Sequence, residues 1–455
     1  MADLRKGYTF KIALTFLSAL LIGPRGYGDG ESGDEARALS VSEAITAAYA
    51  NNKDIQIQEK EIRAARANIL GAVSNFLPKL NLNGNYTYND AVLGIPSDLL
   101  QSSKKDLGVF TGYKNDHKLG LSASESAFNG GADIANLKQS QVNLKVQEET
   151  LRARKLEVEF EAKRLYYGLL LAHETERIAE DLVDQAHAHY EDVKDKFDQG
   201  TSSRFDLLQS AVYLSLQIPE LVKARKSIEL IMAELNKVLG MPIYGAVQLR
   251  GHLVFSPVPI REGEFLKEAY LERPEMIVKS LGIDIQKWSI EMARAGRRPQ
   301  VSADLDFYYR ADRVGDMFNS MHSNWFTGVT VSIPVFDGFS TKAKVDEAKA
   351  RYAQAGLEKE NVADQTAVDI RRACLDLKQA EAIIISQGDS VTQAEEALRI
   401  SEIRYDNGVG TNLDVLDSIV SLSQVEKNLA SGIYDYIMAK AYLYKSMGKS
   451  VITEE

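Results

Sequence analysis

The chain has 455 residues, 45% of them hydrophobic and 26% charged, with 10 prolines and a formal net charge of -10. That length has room for two or three ordinary domains, and so little proline permits long uninterrupted helices. No basic cluster of the kind that tracks a phosphate backbone occurs, which excludes DNA and RNA as partners.

At the N-terminus Arg5, Lys6 and Lys11 accompany an apolar run from Ile12 to Ile22, and small residues follow, including Gly26-Tyr27-Gly28. This is the tripartite pattern of a secretory signal, and the run is too short for a comfortable membrane span. Residues 1–28 are expected to be removed, which leaves a mature chain of about -13. The lone Cys374 sits in helical sequence, so no disulfide can form within the chain, and no cysteine follows the signal for lipid attachment. No later run of 18 apolar residues appears. The exported chain is therefore either soluble or enters a membrane as β-strands.

The first helix should open at Ser40, where Glu43 three residues on completes a capping box, and run to about Asn75 before Pro78. A strand follows, in which Leu80, Leu82, Tyr86 and Tyr88 alternate with Asn81, Asn83, Asn85 and Thr87. After a loop from about Asn89 to Asp116, Leu119, Leu121 and Ala123 alternate with Gly120, Ser122 and Ser124. A long helix then spans about Gly131 to Phe197. Its seven-residue stripe is Leu137, Leu144, Leu151, Val158, Leu165, Ala172, Ala179, Ala186 and Val193. Heptads held this long mean helices packed at shallow angles in coiled-coil fashion. At 1.5 Å per residue such a helix reaches ~100 Å. A tight turn at Gly200 reverses the chain into another helix, which ends near Gly240.

The same series then recurs. Phe197-Asp198-Gln199-Gly200 matches Tyr405-Asp406-Asn407-Gly408 at an offset of 208, as do Phe128-Asn129-Gly130 and Phe336-Asp337-Gly338. Upstream, Ala48-Tyr49 pairs with Ala269-Tyr270 and Pro78 with Pro299 at an offset of 221. The difference of 13 falls between Pro78 and Gly120, which marks a loop shortened in the second copy. There Val301, Ala303, Leu305, Phe307 and Tyr309 alternate with Ser302, Asp304, Asp306 and Tyr308. Trp325, Val329, Val331 and Ile333 alternate with Phe326, Gly328, Thr330 and Ser332 beyond a loop at Arg310 to Asn324. The second heptad stripe is Ala363, Ile370, Leu377, Ile384, Val391, Leu398 and Tyr405. The expected organisation is a signal at 1–28, a first repeat at 29–240, a linker at 241–262, a second repeat at 263–448 and a tail at 449–455.

One such strand fits a half-buried soluble sheet equally well. Four of them, each near the 9–11 residues of a tilted transmembrane strand, together with an export signal and ~100 Å helices, favour a barrel with lipid outside and water inside. Tyr86, Tyr88, Phe307, Tyr309 and Trp325 stand near the loop-side ends, where an aromatic girdle belongs. Four strands cannot close a barrel, whereas three chains supply twelve.

With the Pro78 and Pro299 strand entries, Gly328 to Gly338 (GVTVSIPVFDG) and Gly408 to Asp417 (GVGTNLDVLD), the sequence resembles the TolC-type outer-membrane efflux family over about Leu39 to Gly448. The resemblance implies a mainly α chain with β: a trimeric 12-stranded transmembrane β-barrel, four strands per chain, continuing into a long periplasmic α-helical coiled-coil tunnel. It implies a homotrimer in outer-membrane lipid whose tunnel meets a periplasmic adaptor (membrane fusion) protein and an inner-membrane pump, proton-driven or of the ABC type. Gly240 to Glu262 would join an equatorial belt. The tip turns Gly200, Thr201, Gly408, Val409, Gly410 and Thr411 would face the adaptor. Asp414 and Asp417 would form a constricting, cation-binding ring at the entrance, and Asp206 and Tyr405 would take part in locking it. Two departures stand out. Ser126 replaces the proline that copy two has as Pro334, and Gly410 occupies the place of an arginine that helps clamp the family's best-known member shut.

Asp304 and Asp306 would add negative charge to the barrel lumen, and Asp414 and Asp417, three apart, share a helix face. Acidic residues in a first helical turn also stabilise the helix dipole, which is the plain structural alternative for this pair. There is no phosphate-cradling GxxxxGKS/T loop, so the chain does not power transport itself, and no GxSxG elbow. His187 and His189, two apart, point to different faces of a helix, so no metal or cofactor is expected, and no enzymatic activity. The expected function is a passive exit duct of a tripartite efflux or type I secretion system. The competing reading is a periplasmic coiled-coil scaffold or adaptor without a pore, against which the four alternating strands argue. N-terminal sequencing of the membrane-purified protein should find cleavage within Gly23 to Glu31; a chain beginning at Met1 would refute the signal.

Overall fold

The computed structural model describes residues 38–90, 113–318 and 323–450. The expected signal, most of the first loop and the end of the tail lie outside them. The first repeat contains α1 (Val41–Asn51), α2 (Lys53–Val73), β1 (Lys79–Tyr88), β2 (Asn115–Asn129), α3 (Ala132–Asp198) and α4 (Arg204–Leu239). The second contains α5 (Glu262–Glu272), α6 (Pro274–Ala295), β3 (Gln300–Ala311), β4 (Ser323–Ser332), α7 (Ser340–Asp406) and α8 (Asn412–Ser446). The duplication is physical as well as sequential: α3 and α7 are each 67 residues long, and α4 and α8 are 36 and 35.

Each long helix forms an antiparallel hairpin with its successor, α3 with α4 and α7 with α8, and α3 packs against α8 to join the hairpins. The heptad stripe does this packing. Val158, Leu165, Ala172, Ala179, Ala186 and Val193 are buried, while Leu137, Leu144 and Leu151, nearer the sheet, are half-buried. Two repeat-related cores result. One gathers Ile45, Leu165, Tyr166, Leu169 and Leu235 from α1, α3 and α4; the other gathers Ile370, Leu377, Tyr436 and Leu443 from α7 and α8 with Ala269 of α5. A fully buried leucine contributes roughly 1.5–3 kcal/mol, so these clusters rather than surface ion pairs hold the hairpins. A third, smaller cluster of Leu182, Leu398, Val415, Ile419 and Leu422 ties the hairpins together towards their turns.

The first helix departs from expectation. It is broken at Asn52, so α1 and α2 replace one continuous element to Asn75. The capping box at Ser40 and Glu43 is present. At the break, Asn52 Oδ1 accepts the N–H groups of Asp54 (2.9 Å) and Ile55 (3.4 Å), and its Nδ2 donates to the Val238 carbonyl at 3.0 Å. The second repeat breaks at the equivalent place by different chemistry. Pro274 occupies the first turn of α6, and Arg273 donates to Asp369 (2.9 Å) and Thr366 (3.3 Å) of α7. Into each break fits a helix-ending glycine in the left-handed region: Gly240 (φ +68) against Asn51, and Gly448 (φ +76) against Glu272 and Arg273. The shorter helices therefore meet end to end alongside the long ones.

Residues 241–261 join the repeats without a helix, after a turn closed by Gly245 N–H to Pro242 O at 2.9 Å. Leu39 N–H donates to Gln248 and Arg250 N–H to Leu39, both at 2.8 Å, while Tyr436 of α8 accepts the Val258 N–H at 2.9 Å. The segment thus straps across both cores.

The four strands make one antiparallel sheet in the order β1-β2-β3-β4. The register places Leu82, Leu121, Phe307 and Trp325 opposite one another on one face, and Asn81, Ser122, Asp306 and Phe326 on the other. Strand β2 is longer than its alternation suggested and passes Ser126 with a bulge. Strand β4 stops at Ser332, short of Pro334, whose nitrogen has no proton to donate. The Ser126-for-Pro334 difference is therefore a difference in where two strands end.

Gly240 and Gly200 both need positive φ, but a Cβ on Gly240 would lie 2.6 Å from Asn51 Cβ, whereas one on Gly200 would meet nothing within 4 Å. Gly240→Ala should therefore destabilise by about 1–3 kcal/mol more than Gly200→Ala in equilibrium unfolding of detergent-solubilised protein. Equal losses would mean the junction with α1 yields freely.

Candidate functional site

Two turns built alike end the hairpins. In the first, Gly200 (φ +79) lets its own N–H reach Phe197 O at 2.9 Å and the Thr201 N–H reach Lys196 O at 2.8 Å. In the second, Gly408 (φ +69) does the same towards Tyr405 (3.0 Å), and Val409 towards Arg404 (3.0 Å). These bonds satisfy carbonyls that the helix ends would otherwise leave open. Each following helix then starts with a capping box, Ser203 with Asp206 in α4 and Thr411 with Asp414 in α8. A Cβ on Gly410 would come within 3.0 Å of Arg404 Cβ and the Tyr405 nitrogen, so a side chain here must displace the end of α7. The Arg404 guanidinium instead lies over this turn, 3.4 Å from Val409 O.

The candidate entrance residues are not equivalent. Asp414 and Asp417 are both exposed on one face of α8. The Asp414 carboxylate accepts the Thr411 N–H at 2.9 Å, and the bonds to Thr411 hold its pKa below the usual carboxylate range, with Arg404 helping. Asp417 has no such bond among the described residues. Its charge, behind the larger effect of burial, pushes the phenol of Tyr213 on α4 up to about 12.

Asp206 and Tyr405 are not joined to each other among the described residues. The Asp206 carboxylate takes the Ser203 hydroxyl at 2.6 Å, whereas the Tyr405 ring lies 5.5 Å from that of His189 and beneath Lys196 Nζ at 4.4 Å. Lys196 also bridges the hairpins by an ion pair of 2.7 Å to Asp406.

Sequence reasoning missed Asn412, the residue that joins the most elements here. It is 3% exposed; its Nδ2 donates to Gln209 Oε1 (3.1 Å) and Asp206 O (3.4 Å), and its Oδ1 lies 3.1 Å from Ser210 Oγ and 2.7 Å from His189 Nε2. Its signal was available, since position 412 shares the helical phase of the buried Val415, Leu416 and Ile419. A polar residue in that phase must find partners. His187 is exposed while His189 turns into the seam, as their spacing implied.

In the sheet, Asp304 pairs with Ser124 and Gly328, and Asp306 with Ser122 and Phe326, all on the polar face. Asn83 donates to Ser122 at 3.0 Å, and Arg310 forks onto Asp116 at 2.7 and 2.6 Å. Tyr308 and Phe326 place aromatic rings on this same polar face; Lys118 Nζ sits 4.1 Å above Tyr308. The opposite face leaves Leu80, Leu82, Trp325 and Val329 about 70% exposed, an apolar area that needs a nonaqueous neighbour.

The family model described as outer membrane efflux protein matches residues 44–241 and 265–449. The alkaline protease secretion protein AprF of Pseudomonas aeruginosa is 22% identical, over 90% of this chain and 84% of its own length. The outer membrane protein TolC of Escherichia coli is 20% identical, over 91% and 83%. Among solved structures, the CmeC outer membrane channel of Campylobacter jejuni superposes with a TM-score of 0.78 at 19% identity, over 96% of both chains. The outer membrane protein VceC of Vibrio cholerae gives 0.76 at 18%, over 90% of this chain and 96% of its own. The fold is that of the channel-tunnels, a barrel sector continuing into a helical tunnel, and the family model sets the pore-less scaffold aside. This chain belongs to the outer membrane efflux protein family: it is an outer-membrane exit duct for efflux or secretion.

Proposed function

We propose that three copies close a 12-stranded barrel in the outer membrane, and that the glycine turns form the periplasmic entrance where an adaptor and an inner-membrane pump engage. The observation that carries this reading is a sheet with one exposed apolar face and two edges unpaired among the described residues, continuous with 67-residue helices. Such a sheet is stable only when its edges find partners and its apolar face finds lipid. Exposed Phe205, Leu208, Val409 and Leu413 around the turns offer the apolar contact an adaptor needs, beside Gly200, Thr201, Gly410 and Thr411. Relatives named for protease secretion and for pyoverdine export support either kind of cargo in such a duct. Residues 1–28 act in this reading as the export signal, the repeats at 29–240 and 263–448 as the two halves of each wall, and 241–262 as the belt.

Charge is distributed for cations. Asp304 and Asp306 line the barrel, and Asp417 has its carboxylate free to face the entrance, whereas Asp414 is partly committed to its helix. Three copies of Asp417 crowd like charges at a narrow opening, which bound cations relieve. A native mass measurement in mild detergent should give a trimer, and a monomer or dimer would overturn the barrel. In planar bilayers at fixed salt, Asp417→Ala should lower cation selectivity and weaken block by multivalent cations more than Asp414→Ala, and the double substitution most. Unchanged selectivity and block in the double variant would leave both aspartates as ordinary helix-start residues.

A further inference from the structure

We propose that His189 and Asn412 form a proton-sensitive pin that holds the two helical hairpins together near their turns. Its consequence for conduction rests on the reading of those turns as the tunnel entrance.

The geometry is unusually constrained. Asn412, on the first turn of α8, reaches His189 on α3 and Ser210, Gln209 and the Asp206 carbonyl on α4. Its Nδ2 donates twice, and its Oδ1 faces His189 Nε2 at 2.7 Å and Ser210 Oγ at 3.1 Å, the single Ser210 proton being shared with the Asp206 carbonyl at 2.9 Å. An Oδ1 in that position requires a proton on His189 Nε2. In the neutral ring Nδ1 therefore carries the lone pair. No hydrogen-bond partner for Nδ1 exists among the described residues. The ring is half-buried against Tyr405 of α7, 5.5 Å between centroids.

On the ring's own helix stand Asp192 and Lys196, and on α7 Glu402, with Asp406 drawn to Lys196 at 2.7 Å. The carboxylates of Asp206 on α4 and Asp414 on α8 are bound to Ser203 and Thr411. Asp192, Glu402 and the bond to Asn412 favour a charged ring; burial, the largest effect, and Lys196 oppose it. The balance holds His189 below the ordinary imidazole value of 6.5.

The direction of the pH effect follows. A base held below its ordinary value stabilises the joint fully above pH 6.5, and that contribution is lost as pH falls below it. A second proton enters at Nδ1, where it finds no acceptor and places a charge in a half-buried seam. Acid therefore loosens the contact between α3 and α8 at the His189–Asn412 pair, near the turns.

The test uses the full-length assembly with Cys374 replaced by alanine and spin labels at Asp184→Cys on α3 and Val420→Cys on α8, both exposed. Between about pH 7.5 and about pH 5 the inter-hairpin distances should lengthen and broaden. His189→Gln, which keeps a donor for Asn412 but does not titrate, should hold the neutral-pH distances throughout, and Asn412→Ala should give the acid distances at both. A pH-independent distance in the parent, or the same pH response in His189→Gln, would overturn the pin. Bilayer conductance recorded in parallel should rise on acidification in the parent and not in His189→Gln. Distances that respond while conductance does not would leave the pin standing and refute the turns as the entrance.

Discussion

A backbone amide in hydrocarbon has no water to bond, and each one left unpaired costs several kcal/mol. In this chain β1 and β4 each pair on one side only, so two rows of such groups border the sheet. Nothing else in the described residues covers them. That constraint turns a sheet too small to close into a sector of something larger. In the proposed trimer, α4 and α7, the outer helices of the two hairpins, would meet the neighbouring copies. The exposed Leu208, Val212 and Leu216 on α4 and Leu357, Val368 and Leu375 on α7 suit that environment.

The duplication meets the same constraint twice with different residues. Gly240 and Gly448 occupy equivalent junctions, yet the helix break they fill is capped by Asn52 in one repeat and by Pro274 with Arg273 in the other. Capping boxes recur at Ser203 and Thr411 with the same spacing. Backbone geometry has been preserved while the side chains that impose it have drifted. The two hairpins are consequently similar in shape and distinct in chemistry, and a contact such as His189 to Asn412 joins two unlike surfaces.

What could be read from sequence was what repeats locally. The stripe from Val158 to Val193, the turn glycines and the alternation in β1 and β3 are periodic signals, and each became the element it announced. The break at Asn52 was hidden because helical residues continue on both sides of it; its partner, the Val238 carbonyl, lies 186 positions away. The run of β2 through Ser126 to Asn129 was hidden because its alternation fades, while pairing with β3 sustains it. Among the candidate site residues, proximity of Asp414 and Asp417 was legible from spacing alone. Their inequality was not, since it depends on which carboxylate the Thr411 amide captures.

The equal lengths of α3 and α7 carry a consequence for how such a chain can change. Removing one residue from a helix shortens it by 1.5 Å and rotates everything beyond by about 100°. In a 67-residue helix welded to a sheet at one end and a turn at the other, that rotation would carry the buried stripe out of its seam. A lost residue would have to be matched in the antiparallel partner and in the other hairpin at once. Length variation is thereby driven out of the walls and into the connections between strands, where the two repeats do differ by 13 residues. The tunnel is a ruler whose graduations natural variation can repaint but not move.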